Sequence, residues 1–297
     1  MTFVSSNNLL RREENSPQRE KCDSCNLRCS TLTIHLVCLM MFRVTIAALA
    51  ILLALISNAK AQSSNSSSIP QIEDRIVNGS ALKVVNRKFQ VAVILGPYLC
   101  GGSLLSMEWV VSAGHCVNGQ TASNTYVRAG SNNWDYGGVV RYAKTLFLHP
   151  GFNPSNLFND ISLILLQSPF VPNNYIGTIS IASNLPAAGQ QLYVSGFGQT
   201  STNGNLAPYL EGVWVDMVSF TQCQQYYNNQ LLSTMFCAGD QGGKGSCHGD
   251  SGGPITFNGN LVGVVSWGYD CGDNNYPTVY TRAPLFSSWI QTTMSSN

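Results

Sequence analysis

The chain from Ile76 to Asn297 predicts an all-β fold, a sandwich or a barrel. Short apolar or alternating runs recur along it, at Gln90–Leu95, Trp109–Ser112, Tyr126–Ala129, Ile161–Leu166, Gln191–Ser195, Gly212–Met217, Leu261–Ser266 and Thr278–Tyr280. Clusters of Gly, Asn, Pro and Ser separate these runs, as turns separate short strands. Only two stretches have a helical pattern: the turn around Ala113–Val117, and Pro284–Met294, where Phe286, Trp289 and Ile290 share one face.

Composition agrees with a folded domain. The 297 residues are 44% hydrophobic and 10% charged, with a formal net charge of +1. A disordered chain would show many charges and few large apolar residues. A near-neutral chain is also a poor candidate for nucleic-acid binding, so no nucleic-acid partner is expected. Ten cysteines point to an oxidising compartment.

Upstream of this domain, each segment has its own signature. Residues 1–40 are polar and charged, then carry Cys22, Cys25, Cys29 and Cys38. We read them as a gene-model extension or alternative leader, with translation starting at Met40 or Met41. Cys22 and Cys25 have zinc-like spacing, but no second such pair follows at finger distance. Residues 41–61 form a signal peptide. Arg43 is its positive start, Val44–Ile56 its apolar run and Ala59-Lys60-Ala61 its cleavage site. The run is shorter than the about 20 residues of a membrane span. The competing reading is a membrane anchor extended through Ile34–Phe42, which would bury Arg43 at a cost of a few kcal/mol. Residues 62–75 are rich in Ser and Asn, contain no aromatic residue and end in Arg75. Glycosylation sequons begin at Asn65 and Asn78.

Six cysteines remain in residues 76–297: Cys100, Cys116, Cys223, Cys237, Cys247 and Cys271. Counting leaves fifteen pairings open.

Three local motifs carry chemistry. Ser112-Ala113-Gly114-His115-Cys116 puts a histidine just after an apolar strand. Asn159-Asp160-Ile161-Ser162-Leu163 opens another apolar strand with a carboxylate that is costly to bury without partners. Gly249-Asp250-Ser251-Gly252-Gly253-Pro254 surrounds a serine with turn residues. Taken singly, these read as a surface histidine, a turn aspartate and a glycine turn. Together they supply a nucleophile, a base with a suitable pKa, and a carboxylate to orient that base.

The order His115, Asp160, Ser251 is that of the chymotrypsin fold. The sequence closely resembles the chymotrypsin/trypsin-like serine endopeptidases from Ile76 to about Asn297. The resemblance rests on IVNG at 76–79, CGGSL at 100–104, SAGHC at 112–116, NDISL at 159–163, GDSGGP at 249–254 and SWG at 266–268. It implies two six-stranded antiparallel β-barrels with the site between them and a short C-terminal helix. It also implies Ser251 as nucleophile, His115 as proton carrier and Asp160 as its orienting partner. The N–H groups of Gly249 and Ser251 would form the oxyanion hole. The implied disulfides are Cys100–Cys116, Cys223–Cys237 and Cys247–Cys271. Cleavage after Arg75 would free the amino group of Ile76 to pair with Asp250, and residues 62–75 would leave as a free activation propeptide.

Specificity is read on the same resemblance. Gly245, Ser266, Gly268 and Thr278 take the substrate-pocket positions. Gly245 brings no charge where trypsin-like members carry Asp, and Thr278 narrows the interior where Gly is usual. Cleavage is expected after uncharged apolar residues of medium size, chymotrypsin- or elastase-like. Asp270, beside Cys271, is the feature that could instead favour a basic residue. Gly114 and Phe197 replace the family's usual Ala and Trp.

The loop after Ala129 has Asp135 as its only carboxylate, so neither calcium nor another metal is expected, and no cofactor. The expected protein is a secreted, extracellular, monomeric hydrolase, possessing no stable membrane association. Its partners would be protein or peptide substrates, protein inhibitors and a trypsin-like activating protease. The alternative from another class is an inactive homologue that binds or regulates, although such chains usually lose a triad residue.

Overall fold

A computed structural model describes residues 79–239, 243–269, 271–272 and 275–297. The leader, signal and propeptide readings lie outside the described residues, as do Arg75, Ile76, the sequon asparagines Asn65 and Asn78, and Asp270.

Thirteen strands appear among the described residues, and twelve of them form two closed six-stranded antiparallel barrels. The first barrel contains β2 (Gln90–Leu95), β3 (Tyr98–Leu104), β4 (Trp109–Ser112), β5 (Thr125–Ala129), β6 (Val139–Leu148) and β7 (Ser162–Leu166). These close in the order β2-β3-β4-β7-β6-β5. The second contains β8 (Gln191–Gly196), β9 (Glu211–Val218), β10 (Met235–Gly239), β11 (Pro254–Phe257), β12 (Asn260–Trp267) and β13 (Thr278–Arg282). It runs β9-β10-β13-β12-β11-β8 and closes where β8 pairs with β9. The two-residue β1 (Ser80–Ala81) adds to the outside of β9.

All eight predicted strands are present, extended at one or both ends in most cases. Those missed lack a clean pattern. In β3, Gly101 and Gly102 interrupt the apolar alternation, yet a barrel needs them there. A Cβ on Gly101 would lie 2.7 Å from the Cα of Gly253, and one on Gly102 2.7 Å from Val110. β6 is mostly half-buried, so its alternation is blurred. β11 starts at a proline, which demotes a strand reading.

The α-helices among the described residues are α1 (Gly114–Val117), α2 (Phe220–Tyr226) and α3 (Ser287–Ser295). α1 is the predicted turn. α2 was not expected, though its start carries the S-x-x-Q pattern of a capping box: Ser219 Oγ accepts the Gln222 N–H at 3.2 Å and donates to Gln222 Oε1 at 2.8 Å. The C-terminal segment begins as a 3₁₀ turn, Ala283–Phe286, before α3. Phe286 and Ile290 bury against the first barrel's core, with Trp289 packed beside them. The last segment of the chain therefore leaves the second barrel and covers the first.

Hydrogen bonds join the two barrels. Ser195 Oγ donates to Gln90 Oε1 at 2.8 Å, and the Gly101 N–H donates to the Ser251 carbonyl at 2.7 Å. Phe197 is buried with Val84, Ala92, Ile94 and Leu210, so the smaller ring is fully used in packing.

Candidate active site

His115 lies in α1, directly after β4, and its backbone is held from two sides. The next residue, Cys116, is bonded to Cys100 of β3. The His115 N–H donates to Asp160 Oδ1 at 2.7 Å. The ring is held as well: Nδ1 lies 2.8 Å from Asp160 Oδ2. A carboxylate can only accept, so Nδ1 carries the proton and Nε2 keeps its lone pair. The imidazole is 28% exposed and its carboxylate partner 0%. The base can therefore reach a substrate while the group that orients it cannot.

Asp160 precedes β7 and is fully buried without being short of donors. Besides the two bonds from His115, Ser266 Oγ donates to Oδ2 at 2.6 Å. Its main-chain carbonyl accepts Thr281 Oγ1 at 2.8 Å. Both hydroxyls come from the second barrel, which thus reaches across to brace a carboxylate of the first. Gly114 makes room beside it, because a Cβ there would sit 2.9 Å from Phe152 and 3.1 Å from Asp160 Oδ1.

Ser251 lies in the turn before β11. Gly249 (φ 96°) and Gly252 (φ 80°) flank it in the left-handed region that favours glycine. Side chains would also collide there: a Cβ on Gly249 would lie 2.7 Å from Leu206, and one on Gly252 would meet Ser112 Oγ and the Gly101 carbonyl. These contacts, with the Gly101–Ser251 bond, press the turn against the strand end that carries His115. Within the turn, the Asp250 N–H bonds the Cys247 carbonyl and the Gly252 N–H bonds the Val265 carbonyl. The N–H groups of Gly249 and Ser251 have no acceptor among the described residues. Two unspent donors beside a serine hydroxyl form a site suited to a developing oxyanion.

Asp250 points the other way, into the protein. It is fully buried, with Oδ1 accepting the Gly198 N–H at 2.8 Å and Oδ2 the Cys247 N–H at 2.9 Å. No cation pairs with it among the described residues. Burial pushes its carboxyl up to about 6, against the pull of those two bonds.

A cavity of about 200 Å³ opens next to Ser251. Ser266, Gly268 and Thr278 line it, with Ser246, Val265 and Trp267. Gly245 lies just behind this lining; a Cβ on it would be 3.0 Å from Thr278 Oγ1. The bridges Cys223–Cys237 and Cys247–Cys271 tie α2 to β10 and the nucleophile turn to the cavity wall. Sequence reasoning treated Ser266 as a wall residue only, and passed over Thr281 and Ser246. A hydroxyl in a strand gives no signal of which partner the fold will bring to it.

Metal ligation finds little to work with. Cys100, His115 and Cys116 cluster within 4.8 Å, but both sulfurs are spent in their disulfide and offer no thiolate. In the Ser131–Gly138 loop, the Arg128 guanidinium already donates to the carbonyls of Trp134 and Gly137. These oxygens face a built-in cation, and with Asp135 as the loop's one carboxylate the residues do not fit calcium.

This constellation, in a two-barrel fold, is that of a serine endopeptidase of the chymotrypsin type. The trypsin family model matches residues 76–290. The chain is 40% identical over 230 residues to trypsin from Sus scrofa, covering 76% of this chain and 98% of that one. It is equally similar to trypsin-3 of Salmo salar, over 95% of that protein, and to trypsin alpha of Drosophila melanogaster, over 91%. The chain belongs to the trypsin family and is a serine-type endopeptidase, a hydrolase that acts on protein substrates.

Proposed function

We propose that the protein is a secreted endopeptidase made as a zymogen, activated by cleavage after Arg75, and cutting after uncharged apolar residues of medium size. Ser251 attacks the scissile carbonyl while His115 Nε2 takes the hydroxyl proton. Asp160 fixes the imidazole tautomer and stabilises the cation that forms. The N–H groups of Gly249 and Ser251 receive the oxyanion. His115 then gives its proton to the leaving amine, and water repeats the sequence on the acyl-enzyme.

The observation that carries this reading is the orientation of His115. Its Nδ1–H is spent on a fully buried carboxylate, and its exposed edge carries the basic nitrogen. Activation is supported by Asp250, a fully buried carboxylate with two backbone donors and no cation among the described residues. The freed amino group of Ile76 would supply that cation. A carboxylate partner raises an α-amino pKa, so the active form should fade at alkaline pH as this amine deprotonates. Preference for uncharged residues is supported by the cavity lining, which carries no carboxylate among the described residues. Secretion is supported by the signal-peptide pattern of residues 41–61, and no described helix is long and apolar enough to cross a membrane.

The test is to express the chain, cut it with immobilised trypsin, and profile cleavage of a mixed peptide library beside Ser251→Ala. Cleavage after apolar residues, absent from the variant and dependent on an Ile76 terminus, is the expected result. Cleavage after Arg or Lys would keep the enzyme, overturn the Gly245 reading and implicate Asp270. Inactivity with a correct terminus would favour a binding homologue.

A further inference from the structure

The inner end of the cavity is polar but uncharged. Ser246 Oγ donates to Thr278 Oγ1 at 3.2 Å, and both residues line the cavity. Behind them is Tyr280, completely buried in β13 with its ring stacked on Phe236 at 5.3 Å. Its hydroxyl is shut away from solvent behind those of Thr278 and Ser246, its two polar neighbours. Burial holds this phenol protonated far above its ordinary range. Gly245 brings no side chain, so nothing from that position fills the space or charges it.

Two hydroxyls thus face the cavity, bonded to one another and backed by a third that is shut off from it. A purely apolar side chain entering the cavity would strip their water and leave donors and acceptors unpaired. A cationic tip would find no carboxylate among the described lining residues, and an anionic tip no lysine or arginine. Asp250 lies close to Tyr280, yet both its oxygens are held by backbone N–H groups. The tip that satisfies the hydroxyls is neutral and both donates and accepts.

We propose that the cavity selects, ahead of the scissile bond, a neutral side chain with an apolar stem and a hydrogen-bonding tip, read by Ser246 and Thr278, with Tyr280 as a positioning residue behind them. Glutamine is preferred to methionine of similar length, and tyrosine to phenylalanine. This keeps the uncharged part of the specificity reading above, replaces its apolar part, and rests on the endopeptidase reading. Sites built to bond a polar group discriminate strongly against analogues lacking it, because the protein's own groups are then left unpaired.

The test uses the full chain after activation, with active sites counted by phosphonylation of Ser251. The kcat/KM is measured on six peptides differing only in the residue before the scissile bond: Gln, Met, Tyr, Phe, Lys or Glu. The expected result is Gln over Met, and Tyr over Phe, by about tenfold or more. Thr278→Val and Ser246→Ala bring both ratios toward one. Tyr280→Phe keeps the ring stack, so it lowers the ratios without lowering Tm. Methionine equal to glutamine, a preference for Lys or Glu, or ratios unchanged in all three variants would overturn the proposal while leaving a working protease. Failure of both phosphonylation and hydrolysis would overturn the endopeptidase reading, and this proposal with it.

Discussion

Two buried carboxylates stand on opposite sides of the site, and the protein treats them differently. Asp160 takes two bonds from His115 and one from Ser266, and shares its charge with an imidazole. Asp250 takes two backbone bonds, finds no cation among the described residues, and is pushed up to about 6. Among the described residues, the first has a side-chain partner that can carry positive charge, whereas the second has backbone donors alone. On the proposed reading, the barrel that carries Asp160 is ready for catalysis, and the turn that carries Asp250 and Ser251 is where activation acts.

The strongest way to break this contrast is Asp160→Asn. The amide keeps the shape but presents the wrong atoms to Nδ1, and kcat should fall by about 10⁴ with KM little changed. A fall below tenfold would mean that the tautomer is held by something else.

Gly198→Ala should be next, and it acts on stability as well as activity. The new Cβ would lie 2.5 Å from the Asp250 carboxyl carbon, and both oxygens of that carboxylate are held in place by backbone N–H groups. A loss of about 3 kcal/mol or more is expected, read as a lowered Tm, with little active enzyme after cleavage. A normal Tm would mean that Asp250 has another place to go.

The pH dependence sharpens the comparison. The Asp250 pKa is raised in the folded chain, from an ordinary 3.8 to about 6. Between these values the unfolded chain gives up its proton first. Stability from this group is therefore full below about pH 4 and is lost as pH rises through about 6, by up to about 3 kcal/mol. Urea unfolding of uncut protein across pH 4 to 7 should show this decline, and Asp250→Asn should flatten it. Cleavage after Arg75 should remove it too, because the Ile76 amine then favours the charged form. A slope that survives cleavage would place the amine elsewhere.

Ser266→Ala is the smallest change. It removes one of three side-chain or backbone donors to the Asp160 carboxylate, and should cost about 2 kcal/mol in kcat/KM or stability. An unchanged enzyme would mean that His115 alone satisfies Asp160.

Much of this molecule is visible in its residues. The eight strand runs have period two or short apolar stretches, since a strand buries alternate residues whatever its partners. His115, Asp160 and Ser251 could be found because each lies in a local motif with its own backbone demands, such as the glycines that the turn at Ser251 requires. The missed strand β3 shows the limit. Its two glycines are unfavourable for a strand alone and necessary only because Gly253 and Val110 press on them.

What the sequence determined alone is therefore what depends on near neighbours in the chain: the strand pattern, the turn around the serine, and the types of reacting group. Only the tertiary structure decided which hydroxyls brace Asp160, which glycines shelter Asp250, and that two neutral hydroxyls meet at the inner end of the cavity with a third behind them. These contacts join residues such as Ser266 and Asp160, 106 positions apart. A side chain's local pattern records its own burial and backbone shape, but not the distant group that barrel closure brings within hydrogen-bonding reach.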